Sequence, residues 1–130
     1  MYFIYISMNN DNFNEYNRLL FEDNISIIFI IVSLINIKAN NIVEDAIITN
    51  NYEKYQRAIT LYKINIIITI LVYIYFIIRN VYFYNKALEN NENPYFEKIR
   101  VIGSVLILVG TLMLAYTLFS DENEQGEVEI

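Results

Sequence analysis

The chain has 130 residues, a length that as a prior holds one domain, and 55% of them are hydrophobic, above the roughly 45–50% of soluble proteins. Charged residues make up only 18% and the formal net charge is −6, which argues against nucleic acid as a partner, because such binding needs a basic face that replaces counterions. Cys, His and Trp are all absent; this removes a disulfide framework, a thiolate zinc site, a cysteine nucleophile, and the commonest general base and metal ligand.

Isoleucine and asparagine together make up about a third of the chain, the tilt expected of an AT-rich genome. A single Asn therefore carries little weight unless its position is also informative.

The N-terminal MYFIYIS (residues 1–7) is apolar but too short to span a membrane. Met8 opens MNNDNFNEYNRLL, a more ordinary helix start, so Met1 and Met8 stand as alternative starts and no function is placed on residues 1–7.

The first apolar run, Ile25–Ile37, is thirteen residues long. Alone it would suit a core helix, a re-entrant piece or a signal-peptide core. A cleaved signal does not fit, because Glu15, Glu22 and Asp23 precede the run where positive charge is needed, and no small-residue cleavage site follows. Adding Leu19, Leu20 and Phe21 lengthens it to a span over about 19–38, with a half-inserted helix as the alternative.

The second run, Ile64–Ile78, is uncharged between Lys63 and Arg79. Long basic side chains extend to the interface, and Tyr62, Tyr82, Phe83 and Tyr84 fit interfacial aromatic belts. A span over 58–80 follows. The third run, Val101–Phe119, carries no charge and reaches roughly 28 Å as a helix, close to the apolar thickness of a bilayer. As a buried helix it would need a core that a chain this short cannot supply, so 100–119 reads as a third span.

Local chemistry places helix starts at Asn12, Asn41 and Asn50, each three residues before a Glu, and at Asn93, which precedes Pro94. The expected helices are 13–38, a short one at 42–48, a long one at 51–88, and 94–119. The fold class is all-α: an integral membrane protein forming one membrane domain. Its three transmembrane helices form an antiparallel up-down-up bundle with a short extramembrane helix between the first two. A disordered acidic tail over 120–130 ends the chain.

Orientation follows from Lys and Arg near the span ends. The side holding the N-terminus and the loop 79–100 has Arg18, Arg79, Lys86, Lys98 and Arg100; the other has Lys38, Lys54, Arg57 and Lys63. Five against four favours a multi-pass cell-membrane protein with its N-terminus cytoplasmic and its C-terminus outside.

Each span carries a small or polar stripe: Ser26 and Ser33 on the first, Asn65, Thr69 and Tyr73 on the second, Gly103, Gly110 and Thr111 on the third. These residues are the candidate helix-packing seam. Small residues let backbones approach, and Ser, Thr and Asn hydrogen-bond between helices. A pore or groove would use the same stripes, but no ionisable residue lies inside the apolar part of any span, as ion and proton pathways usually require. Packing is the preferred reading.

Asp121, Asn123, Gln125 and Gly126 fall near the first, third, fifth and sixth positions of a calcium loop, but the chain has no Glu at the twelfth. A solvated acidic tail is expected instead. Lys98 and Arg100 ahead of the third span are fewer than the usual anionic-lipid cluster. No phosphate loop, catalytic triad or intramembrane carboxylate pair is present in the sequence, so neither an enzyme nor a cofactor is expected.

Arg79-Asn80 closing the second span, with Gly103-Ser104 and Gly110-Thr111 inside the third, resembles small uncharacterised multi-span membrane proteins of low-GC, AT-rich bacteria. The resemblance covers about half the chain; it implies a bacterial inner membrane and no activity. The expected role is structural or accessory through helix–helix association, with the lipid bilayer and either a second copy or another membrane protein as partners. A small pore-forming or membrane-permeabilising protein is the alternative.

Overall fold

The structure, a computed structural model, describes residues 10–120, with side chains from residue 14 onward. The segment 1–7 and the acidic tail beyond Ser120 lie outside the described residues. Among the described residues there are three α-helices and no strand: α1 (Asn10–Thr49), α2 (Tyr52–Glu89) and α3 (Tyr95–Ser120). All three are long and apolar enough to cross a membrane. α2 measures roughly 57 Å at the helical rise, longer than the roughly 30 Å apolar thickness of a bilayer.

One expectation is corrected. The separate helices at 13–38 and 42–48 are a single helix, and Asn12 and Asn41 lie inside it rather than capping it. The linking residues, Ala39, Asn40 and Asn41, include no Pro or Gly. Asn costs under about 0.7 kcal/mol in a helix interior, so nothing there breaks the run. Ala39 and Ala46 are fully buried in this stretch, so packing holds it as well.

The chain divides within α1 into one unit ending at Leu34 and another beginning at Ile35. In the first unit, Arg18 pairs with Glu15 and with Glu22, each at 3.1 Å, which offsets an acidic charge at the head of the apolar run. Ser26 Oγ donates to the Glu22 carbonyl at 3.2 Å and Ser33 Oγ to the Phe29 carbonyl at 3.0 Å, both within their own helix.

In the second unit, α1 and α2 end in the same way. Asn50 and Asn91 adopt left-handed conformations, with φ of 53° and 57°. Asn51 N–H reaches the Ala46 carbonyl at 2.9 Å and Asn50 N–H the Ile47 carbonyl at 3.3 Å. Glu92 to Ala87 (2.9 Å) and Asn91 to Leu88 (3.2 Å) repeat the pattern. This is the Schellman arrangement, with Asn where Gly is usual.

The next helix begins at once after each turn. Asn51 caps α2 by accepting from Lys54 N–H at 3.2 Å, one residue later than the Asn50 cap expected from the sequence. Asn93 Oδ1 accepts from Tyr95 N–H at 3.2 Å, at the expected start of α3.

α2 packs along α3. The buried positions of α2 are Ala58, Ile59, Asn65, Val72, Asn80 and Ala87, and all but Ile59 fall at intervals of seven, seven, eight and seven residues. Two turns of an undistorted helix take about 7.2 residues, so this face is a straight line along α2 with no supercoil imposed on it. On α3, Val101, Ser104, Leu108, Thr111, Ala115 and Leu118 are covered or half-covered and alternate steps of three and four, with Glu97, Gly103 and Ser120 half-covered besides; the alternation is the spacing of a single helical stripe. Small side chains predominate on both lines, as expected of helices that meet in lipid.

Almost everything else apolar is uncovered. At most 11% of the most apolar stretch of any helix is buried. Leu71, Leu106, Met113, Leu114 and Tyr116 are all more than 60% exposed. In water such a continuous apolar surface would aggregate; a bilayer removes that cost.

Candidate functional site

The helix-packing line on α2 contains two buried polar side chains, Asn65 and Asn80, at 6% and 7% exposure. A buried amide is costly in an apolar setting unless its donors and acceptors are engaged. At Asn80 both ends are. Its Nδ2 donates to Ser104 Oγ at 3.3 Å and to the Arg100 carbonyl at 3.4 Å, both on α3. Its Oδ1 accepts from Arg79 Nε at 3.2 Å and Nη2 at 3.0 Å.

Ser104 Oγ is held as well, donating to the Arg100 and Val101 carbonyls at 2.8 and 2.9 Å. The Arg79 guanidinium lies 4.7 Å from the centre of the Phe76 ring, within cation–π range. A sharing of Oδ1 by two N–H groups and an aromatic face below it fix the guanidinium plane from two sides.

Above this clasp the two helices leave an open groove of about 320 Å³. α2 contributes Tyr73, Phe76, Arg79 and Asn80; α3 contributes Arg100, Gly103, Ser104 and Ile107. Among the described residues the lining thus has two guanidinium groups and no carboxylate. Arg100 forms one ion pair, to Glu97 at 3.6 Å, and its own side chain is 63% exposed. Such an exposed pair holds weakly, with a typical contribution of about 0–1 kcal/mol.

A second polar cluster lies where α1 meets α2. Lys54 Nζ forms an ion pair with Asp45, and Tyr62 donates its phenol hydrogen to Asn40 Oδ1. Lys38, Asn41 and Arg57 join Asp45 and Lys54 around an open recess of about 280 Å³. Among the described residues no group of His, Cys, Asp and Glu is arranged to hold a metal.

The seam residues separate. Asn65 is buried on the α2 line, Thr69 is half-buried beside it with its hydroxyl on the Asn65 carbonyl at 2.9 Å, and Tyr73 and Gly103 line the groove. Thr111 lies on the covered stripe of α3, its Oγ1 on the Ile107 carbonyl at 2.9 Å. Gly110 is exposed, and a Cβ added at Gly103 or Gly110 would meet nothing within 4 Å. Ser26 and Ser33 are exposed. No protein-family model, curated protein or solved structure matches this chain.

Sequence reading placed Asn80 at the close of the second span but missed it as the group that ties α2 to α3. It put Arg79 and Arg100 on one side of the membrane, at the ends of different spans, but did not bring them to one groove. The available signal was the joint: a turn centred on residues 90–93 puts residues about ten before it opposite residues about ten after it.

Proposed function

We propose that this chain is a multi-pass membrane protein whose three helices cross in alternating directions, and whose role is structural or accessory through association with a second copy or another membrane protein. The alternating course is supported by the order of the contacts. Asp45 meets Lys54 and Asn40 meets Tyr62; Asn80 meets Ser104 and Lys63 lies 5.1 Å from the Phe119 ring. In each pair of helices, contacts advance along one partner as they retreat along the other. The Lys and Arg count supports a cytoplasmic 79–100 joint and a C-terminus outside.

The observation that carries the association is Gly110. Glycine costs a helix about 1 kcal/mol relative to alanine, yet among the described residues nothing needs the space at Gly110, where a Cβ would stand clear. It sits on the exposed side of α3 with Leu106, Ile107, Met113 and Leu114 one turn away on either side, all exposed. A notch between bulky residues lets another helix approach closely, which is the main source of attraction between helices in lipid. A small pore, the competing role, would need the Asn65–Thr69–Tyr73 face to line water, and Asn65 is buried within a single copy.

Chemical crosslinking in membranes together with native mass spectrometry from mild detergent tests the association. A defined oligomer or a specific membrane partner is the expected result. A strictly monomeric protein without partners would remove the proposal, and liposome dye release would return it to the pore reading.

A further inference from the structure

We propose that the groove between α2 and α3 binds an anionic phospholipid, with the headgroup phosphate held between Arg79 and Arg100 and an acyl chain lying along Phe76 and Ile107. The inference rests on the chain being a membrane protein and adds a ligand that membrane residence alone does not require.

Three observations converge on the groove. The first is charge: two guanidiniums from different helices line one groove of about 320 Å³ whose lining, among the described residues, has no carboxylate. Guanidinium is suited to phosphate because its planar N–H fork matches two oxygens at once. The second is preorganisation. Asn80 and the Phe76 ring fix Arg79 in place, so less side-chain freedom is lost when an anion arrives. The Arg100 side chain, by contrast, is 63% exposed and among the described residues pairs only with Glu97, at 3.6 Å, so a phosphate can take over that partner at small cost.

The third observation is the gradient of polarity. The groove runs from Arg79, at the end of the second apolar run, and Arg100, just before the third, to Phe76, Ile107 and the bare backbone of Gly103. The space beside Gly103 is open. A free phosphate would use only the polar end, and a zwitterionic lipid would bring a cation to face two arginines. A lipid with net negative charge uses both ends. Basic pockets between membrane helices on the cytoplasmic side bind headgroups of this class.

The test uses the full chain in neutral detergent, titrated in native mass spectrometry with phosphatidylglycerol, phosphatidylcholine or inorganic phosphate. Bound phosphatidylglycerol that survives activation, weaker phosphatidylcholine and no displacement by phosphate are expected. Each guanidinium near a membrane surface contributes roughly a fivefold gain in binding constant. Arg100→Gln should therefore weaken phosphatidylglycerol about fivefold, and Arg100→Lys should retain most of it. Gly103→Leu should block the apolar end while leaving every charge in place.

Arg100 is exposed, so its variant keeps the test valid even where Arg79→Gln fails to fold. Equal retention of the two lipids, wild-type affinity in Arg100→Gln and Gly103→Leu, or displacement by phosphate at equal affinity would each overturn the proposal. A protein that enters phosphatidylcholine vesicles but shows no lipid preference refutes this site alone. One that fails to enter any vesicle refutes the membrane reading beneath it.

Discussion

Asn80 on α2 donates to Ser104 Oγ on α3 across 3.3 Å, and the same amide accepts from Arg79 through its oxygen. One buried side chain therefore ties two helices together and orients the cation at the groove. Hydrogen bonds between membrane helices contribute about 0.6 kcal/mol on average and up to about 1.7. Asn80→Leu removes the donor to two acceptors and the acceptor of Arg79, so a loss of about 1–2 kcal/mol is expected. Ser104→Ala should cost about 0.6 kcal/mol, since the Arg100 carbonyl still receives Asn80. Because the two residues share one bond, the double variant should lose less than the two single losses added together. Reversible unfolding in mixed micelles measures all three.

The three long apolar helices and most helix ends were legible because they depend on local features: uncharged runs of sufficient length, Asn caps and a proline in a first turn. The break expected near residue 40 was not real, because it rested on Asn41 preceding Glu44 in a chain where Asn is common. Capping chemistry permits a helix to start there but does not stop one already running. The face of α3 was harder to read. Gly103 and Gly110 share a side of the helix with steps of seven, and so do Ser104 and Thr111, one residue further on. Periodicity alone cannot choose between neighbouring stripes. α2 covers the Ser104–Thr111 stripe because Asn80 needs a hydroxyl and a carbonyl within reach.

The two turns predict a positional effect of β-branching. Asn50 and Asn91 hold φ of 53° and 57°, a region that Gly enters freely, Asn tolerates and β-branched residues rarely adopt. Asn91→Gly should be neutral or slightly stabilising. Asn91→Val should cost about 1–2 kcal/mol, the penalty of a left-handed L-residue. Asn85→Val, at an exposed position inside α2, should cost under about 0.5 kcal/mol, because Asn and Val have similar helix propensities. Thermal unfolding followed by circular dichroism separates these cases.

Topology can be mapped without background, since the chain has no native Cys. Glu53→Cys lies beside the joint of α1 and α2, and Glu92→Cys in the joint of α2 and α3; both positions are exposed. Intact cells treated with a membrane-impermeant maleimide should label the first variant, and the second should label only after the membrane is opened. The reverse pattern would invert the orientation while keeping the alternating course. Labelling of both in intact cells would contradict a crossing of the bilayer by α2.

Gly110 separates packing inside the chain from packing between chains. Because a Cβ there meets nothing within 4 Å, Gly110→Ala should leave the fold intact and raise helix stability by up to about 1 kcal/mol. Gly110→Leu should also fold, since the side chain points away from the covered stripe. Association should respond differently: the notch narrows with Ala and closes with Leu, so oligomer or partner capture should fall in that order. Forster transfer between labelled copies in vesicles, measured against dilution in lipid, gives the dissociation constants. If both variants associate as tightly as the wild type, Gly110 is not at the interface, and the exposed ridge of α3 is covered by lipid alone.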